Sequence, residues 1–305
     1  MATHTLSENM TKELEPSLDS FMRGNNLDCP KMIIRYALTH DEPALRARLE
    51  WYAEQEGIVL TEAMCDESCS FPLLKISRKR TRVLWQGEEI FFHPSMALLR
   101  MLSVLRGEPD RFLQAAGLEN GNTCIDATMG LAADTLMAAW RVGEAGRVTA
   151  LEASPLIAAL VKEGLREMAA SVPSGVRGLK AEAWKHLIQA AGRIDVLLGD
   201  HLDFLRAQGD ACQDLVYFDP MFRHTRGQSA ALRSFKPWMC HEGLREEAVR
   251  EACRVARRVV LKERTGSREF ERFGFAMEPG GRHSPVAFGV RIKKELIPYV
   301  FPESR

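Results

Sequence analysis

Four acidic residues stand where short apolar runs end: Asp126 in CIDATMGLAADT, Glu152 in RVTALEASP, Asp200 in LLGDHLDFL and Asp219 in DLVYFDPMF. A carboxylate in such a place accepts hydrogen bonds from hydroxyls and amines and pairs with ammonium groups. After Asp126, the residues Thr128, Gly130, Ala133 and Asp134 read as a turn that opens a helix. Gly130 lets the backbone come close to a ligand. A single glycine is not the three-glycine cradle that a pyrophosphate wants at a helix start, so a dinucleotide turn is disfavoured. A ligand with an amino-acid end fits better, its ammonium facing Asp126. Asp134 serves either that ligand or the dipole of its own helix.

Glu152, with Ala153, is placed to accept from ribose hydroxyls one strand further on. Asp200, with His201, admits two roles. It accepts from an adenine amino group with His201 against the ring, or it caps the next helix. In Asp219-Pro220-Met221-Phe222 the proline breaks the strand and forces a turn. Asp219 and nearby carbonyls then offer acceptors to an exocyclic amine, and Phe222 offers a ring on which a flat base can stack. Such a site holds an amine in line for a displacement, where alignment supplies much of the rate. Acceptors on the amine hydrogens also ease the positive charge that grows on nitrogen. The plainer alternative is an Asp-Pro turn with Phe222 in the core. Lys262 in VVLKER ends another apolar run and is placed to face a substrate.

These side chains need a scaffold that brings strand ends together. From Thr123 the chain alternates strand and helix: strands at 123–127, 148–152, 194–199, 215–219 and 259–262, helices at 132–141, 155–168 and 242–257. That rhythm predicts an α/β, Rossmann-like fold, a mostly parallel sheet covered on both faces. A last pair near 273–277 and 286–292 reads as a hairpin that adds an antiparallel strand. Upstream, strands at 32–37, 58–61, 73–77, 81–85 and 88–92 with a helix at 41–55 predict a small α+β domain over 31–92. Gln86-Gly87 is its hairpin turn. Residues 1–30 read as a flexible tail, and 93–305 as the second domain, entered through helices beginning at Pro94 and at Asp110.

The chain has 305 residues and a formal net charge of zero, so the whole molecule has no broad attraction for polyanions. Locally, Arg78, Lys79, Arg80 and Arg82 form a basic run, and from Arg223 onward about 18 Lys or Arg face about 10 Asp or Glu. This suits a one-sided nucleic-acid surface or a solvated face. Seven scattered cysteines fit a reducing cytoplasm. Cys65 and Cys69 have no second Cys or His pair at ligand spacing, so no metal site is expected. No apolar stretch is long enough to cross a membrane.

The order DATMGL, LEASP, GDH and DPMF, over residues 123 to 292, resembles the bacterial class I methyltransferases that modify the N2 amine of a guanine in small-subunit ribosomal RNA. The resemblance implies S-adenosyl-L-methionine as cofactor, held by Ala133, Asp134, Glu152, Ala153, Asp200, His201 and Asp219. It implies catalysis at Asp219, Pro220 and Phe222. The chain departs from that family with Arg223 after DPMF, Ala133 before Asp134, and Asp200-His201 in place of a serine pair. Residues 31–92 and FFHPSM (91–96) look more like a Gram-positive branch. The expected partner is RNA of the small ribosomal subunit, touched by Arg78, Lys79, Arg80, His93, Arg223, His224 and His283, with Arg226 and Arg282 as further phosphate contacts. His93 is equally compatible with a packed position behind a helix-capping Ser95. Two other functions suit the same residues: methyl transfer to a small molecule or protein, and a non-catalytic module that only binds the cofactor.

Overall fold

The computed structural model describes residues 31–63, 71–170, 174–220, 243–278 and 284–293. Cys65, Cys69, Met221, Phe222, Arg223, His224, Arg226, Arg282 and His283 lie outside the described residues, as does the N-terminal 1–30 segment.

The N-terminal sheet contains β1 (Met32–Leu38), β2 (Ile58–Glu62), β3 (Leu73–Ile76), β4 (Thr81–Trp85) and β5 (Glu88–Ile90), in the order β2-β1-β3-β4-β5. Helix α1 (Pro43–Ala53) makes the crossover that lets β1 and β2 run parallel. β3 also runs parallel to β1, while β4 and β5 add antiparallel pairs. Gln86 and Gly87 both take positive φ, 49° and 79°, as a two-residue hairpin turn requires.

Helices α2 (Ser95–Leu105) and α3 (Arg111–Ala116) lead into the second sheet. Its elements come in the order β6 (Thr123–Asp126), α4 (Ala133–Val142), β7 (Arg147–Glu152), α5 (Pro155–Ala170), α6 (Leu179–Ala191), β8 (Ile194–Leu198), α7 (His201–Arg206), β9 (Gln213–Phe218), α8 (Glu246–Val255), β10 (Ala256–Arg264), α9 (Glu269–Arg272), β11 (Ala276–Met277) and β12 (Val286–Ile292). The strand order is β11-β12-β10-β9-β6-β7-β8. The five strands from β10 to β8 are mutually parallel, and β12 and β11 close the edge antiparallel. The expected Rossmann-like sheet and terminal hairpin are both present. The largest shift is at the junction of α8 and β10: the helical pattern read over 242–257 begins at Glu246 and stops at Val255, because Ala256 already pairs with Gln213 of β9.

Alternate residues of the central strands enter two different cores. Leu215, Tyr217 and Val260 join one; Val216, Phe218, Val259 and Leu261 join the other. Burial on both faces explains why these strands are almost continuously apolar. From β6 the chain steps outward through β7 and β8, and from β9 it steps the other way. Strand order therefore reverses between β6 and β9, and the carboxyl edge at such a reversal is where α/β sheets bind ligands.

The two sheets share the first core, which contains Ile34, Leu74 and Val83 as well as Leu136, Val148 and Leu160. Glu163 of α5, 3% exposed, ties them together. It accepts from Tyr52 Oη at 2.5 Å and Thr81 Oγ1 at 2.9 Å and pairs with Arg48 Nε at 3.0 Å. Burial pushes its carboxyl up. One residue on, Gly164 leaves room for the Phe92 ring, into which a Cβ there would run directly. Among the described residues no helix is long and apolar enough to cross a membrane.

Candidate active site

The turn after β6 is organised by its own acid. Asp126 is 2% exposed, and its Oδ2 accepts from Thr135 Oγ1 at 2.6 Å while Oδ1 accepts from the Thr128 amide at 3.2 Å. Burial pushes this carboxyl up to about 7, against the pull of those two donors. Thr128 then reaches across the strand reversal, where its Oγ1 accepts from the Asp219 amide at 2.6 Å. The backbone swings through Gly130 at φ 54° and Ala132 at φ 62° before α4 begins. Ala132 is fully buried in a left-handed conformation that costs a non-glycine residue about 1–3 kcal/mol. Surrounding structure holds that strain where the turn meets the crevice.

Glu152 stands at the end of β7 and braces the same turn. Its Oε2 accepts from the Gly130 amide at 3.0 Å and its Oε1 from the Ser154 amide at 2.9 Å. Burial pushes it up to about 7, opposed by the amides of Ser154, Gly130 and Ala153. Asp200 does cap α7, accepting from the amides of Leu202 at 2.8 Å and Asp203 at 3.3 Å. Its other oxygen pairs with Arg245 at 2.5 Å. His201 sets its ring edge-on to Phe218, centroids 5.6 Å apart.

On the other side of β6 lies a charged cluster. Lys262 Nζ of β10 sits 2.7 Å from Asp219 Oδ2 and 2.9 Å from Asp134 Oδ2. Asp134 also accepts from Tyr217 Oη at 2.8 Å and from Arg100, which forks its remaining donors onto Asp110 at 2.7 and 2.8 Å. Burial alone would raise the Asp134 carboxyl, but Lys262 and Arg100 outweigh it and hold it below the usual range. For Asp219 burial prevails over Lys262 and raises the carboxyl to about 6. Burial works against the Lys262 charge, yet its two carboxylates leave it above the ordinary lysine value.

Asp126, Thr128, Ala133, Asp134, Asp219 and Lys262 line one cavity of about 630 Å³, walled by Met96, Leu99 and Phe112. That is the size of a small-molecule site. Glu152, Ala153, Asp200 and His201 do not line it; they stand at the ends of β7 and β8, the neighbouring stretch of the same sheet edge. His93 lies outside the cavity as well, its ring 6.3 Å from that of Phe91, and burial with Arg80 nearby lowers its pKa. Pro94 holds the N-cap of α2 and Ser95 is already its first helical residue, so the expected capping by Ser95 is not what the fold shows.

The basic run is elsewhere again. Arg78 pairs with Glu42, Arg82 with Glu89 at 2.9 Å, and Arg80 lies 4.5 Å over the Phe91 ring. Arg48 joins the Ser77 carbonyl, at 3.1 Å, to Glu167 near the far end of α5. At 1.5 Å per residue, Glu167 is about 18 Å down the helix from the strand ends where α5 starts. Sequence reading missed Arg100, Tyr217, Arg111 and Thr135. Only Arg100 carried a signal: it is the one charge in the apolar helix SMALLRMLSVL.

Residues 91–271 match the family model described as "Putative SAM-dependent methyltransferase". The uncharacterized protein YpiP of Bacillus subtilis is 36% identical over 68% of this chain and 77% of its own length. Ribosomal RNA small subunit methyltransferase J of Thioalkalivibrio sulfidiphilus is 31% identical over 54% of this chain, and the match spans 60% of the relative's length. A SAM-dependent methyltransferase structure from Neisseria gonorrhoeae superposes with a TM-score of 0.55 at 19% identity, over 89% of this chain and 98% of that one, so the fold is shared. With its Rossmann-like sheet, its crevice at the strand reversal and a family match over more than half its length, the chain belongs to the SAM-dependent methyltransferases and uses S-adenosylmethionine.

Proposed function

We propose that this methyltransferase acts on the exocyclic N2 amine of a guanine in RNA of the small ribosomal subunit. The observation that carries the proposal is the setting of Asp219. Its amide is pinned to Thr128, its carboxylate is tethered to Lys262, and it lines the cavity that opens at the strand reversal. A carboxylate fixed from both ends is an acceptor with a defined direction, which an amine nucleophile needs. The similarity to the ribosomal RNA small subunit methyltransferase J proteins supports small-subunit ribosomal RNA as the substrate.

The residues present fit the cofactor. The turn has one glycine and a strained alanine rather than a phosphate cradle, and the acceptors around it are acidic: Asp126, Asp134 and Asp219 at the cavity, Glu152 and Asp200 along the edge. Acidic acceptors suit an ammonium and hydroxyls better than a pyrophosphate. When bound, S-adenosylmethionine would supply a methyl group on a sulfonium, whose sulfur would leave as a neutral thioether as the amine takes the methyl and gives up a proton. We assign Glu152 to the ribose and Asp126, Thr128, Gly130, Ala133 and Asp134 to the amino-acid end. Ala153 is assigned beside Glu152, and Asp200 with His201 to the adenine side. Asp219 with Pro220 holds the acceptor amine, and the protein's work there is to orient it and stabilise growing positive charge.

In this reading 31–92 is an RNA-gripping domain and 93–305 the catalytic one. Arg78, Lys79 and Arg80 would then hold RNA well away from the reacting base. A small-molecule or protein acceptor is the second reading. It is favoured by the zero net charge and by the pairing of Arg78 and Arg82 with the chain's own carboxylates. Incubation with radiolabelled S-adenosylmethionine and ribosomal subunits from a strain lacking this gene separates the two. Label in RNA that digests to N2-methylguanosine supports the first. Label absent from RNA rejects it.

A further inference from the structure

Three cations line the cavity among its described residues, and two are neutralised. Arg100 is paired with Asp110 and Asp134, and Lys262 with Asp134 and Asp219. Arg111, half-buried at the start of α3, has no carboxylate within ion-pair distance among the described residues. Its contacts are neutral. Nη1 donates to Ser284 Oγ and to the Val286 carbonyl at 2.9 Å, and the guanidinium lies 5.7 Å from the Phe288 ring centroid. These contacts fix the group while leaving it without a carboxylate in direct contact among the described residues, and they use only its Nη1 among its N–H donors. A half-buried cation with no carboxylate in direct contact has donors to spare for a ligand, and a guanidinium fork matches an oxyanion.

Its position says which oxyanion. Val286 and Phe288 belong to β12, and three strand steps separate β12 from β6. At about 4.8 Å per step that is roughly 14 Å, with Glu152 a further strand away. Asp219, just past β9, lies between. Arg111 is therefore on the acceptor side of Asp219, opposite the edge that carries Glu152 and Asp200. We infer that Arg111 is the seat for a backbone phosphate of the nucleotide whose base enters beside Asp219. This rests on the RNA reading given above and adds to it a contact on the target strand itself.

The test uses the full chain and a labelled single-stranded RNA oligonucleotide, with fluorescence anisotropy read at several salt concentrations. Binding of S-adenosylhomocysteine is measured in parallel by calorimetry, for wild type, Arg111→Gln and Arg111→Lys. For Arg111→Gln, loss of one charge-assisted contact predicts about tenfold weaker RNA binding. The slope of log affinity against log salt should fall by about 0.7, one phosphate's share for a single strand. Arg111→Lys should keep the wild-type slope, and S-adenosylhomocysteine affinity should stay within about twofold in all three. An Arg111→Gln slope equal to wild type overturns the inference and leaves the RNA reading standing. Lost cofactor-product affinity with an unchanged RNA slope overturns it too, giving the guanidinium to the donor's carboxylate. Equal losses in both variants with lowered melting temperatures would make Arg111 a strap between α3 and β12 only. Absence of salt-dependent RNA binding by the wild type removes the RNA reading, and this inference with it.

Discussion

Replacing Lys262 by methionine keeps much of the side-chain stem and removes the ammonium that bridges Asp134 and Asp219. The three side chains are 23%, 11% and 15% exposed, so water screens them little. At 2.7 Å and an effective dielectric of 20, one such contact amounts to about 6 kcal/mol of attraction. Desolvation offsets part of it, and deleting one partner of a buried pair costs about 3–5 kcal/mol. Arg100 and Tyr217 still serve Asp134 in the variant, so the loss falls on Asp219. The Asp219 carboxyl already sits at about 6 in the folded protein and rises further without the ammonium. A carboxyl raised on folding binds its proton more tightly in the native state, so its contribution to stability declines as pH climbs from the ordinary carboxylate range through the folded value. The variant should therefore be most impaired at pH 8 and partly restored at pH 5, where Asp219 protonates. Urea unfolding at both values measures this, with an expected loss of about 3–5 kcal/mol at pH 8 and a smaller one at pH 5. The acid limb of kcat/KM should move to higher pH, because a protonated Asp219 is a poorer acceptor. A loss below about 1 kcal/mol at pH 8, as an exposed pair gives, or the same loss at both values, would refute the buried bridge.

Asp219→Ala should bind S-adenosylhomocysteine within a few-fold of wild type and lose turnover; wild-type turnover would remove Asp219 from the mechanism. Gly164→Ala drives a methyl into the Phe92 ring and should cost about 1–3 kcal/mol in chemical unfolding, and a neutral result would mean that the ring moves aside freely. Tyr52→Phe strips one donor from buried Glu163 and should cost about 1.5–3 kcal/mol, read by the same unfolding transition. Unchanged stability there would show that the hydroxyl is dispensable to the seam between the sheets.

The second sheet is legible because of its burial. A strand covered on both faces must be apolar along its length, so CIDA, VTALE and LVYFD declare themselves, and the polar residue that ends each run marks the carboxyl edge. The N-terminal sheet is less so. Its strands are readable one by one, but the insertion of β1 between β2 and β3, parallel to both, joins segments far apart in the chain. No local pattern encodes that pairing; the packing of Ile34, Leu74 and Tyr52 into the shared core selects it. The end of α8 shows the same competition. Residues 242–257 have helical periodicity, yet pairing with β9 captures Ala256 and draws the next residues into β10.

The candidate site divides along a similar line. Asp126, Glu152, Asp200 and Asp219 are legible as acids at strand ends, because residue type and position suffice. What else reaches them is not. Asp126 and Glu152 each hold two donors of the β6 turn or its neighbours, and Asp200 holds a helix end and Arg245. A carboxylate has about four lone-pair sites, so these bonds orient the acids and leave capacity for a ligand. They also make each acid a brace for the backbone, so that removing one disturbs geometry as well as binding. Of the opposing charges, Lys262 is legible as the end of the VVLK run, two strands over in the final order, while no strand-end rule points to Arg100 on a helix before the sheet begins or to Arg111 on the next helix. Electrostatic selection by the crevice depends on which of these three cations a carboxylate already occupies. That is a property of contacts between elements distant in sequence, and it is why Arg111, the one of the three without a carboxylate partner at ion-pair distance among the described residues, is the residue whose substitution tests the phosphate seat inferred above.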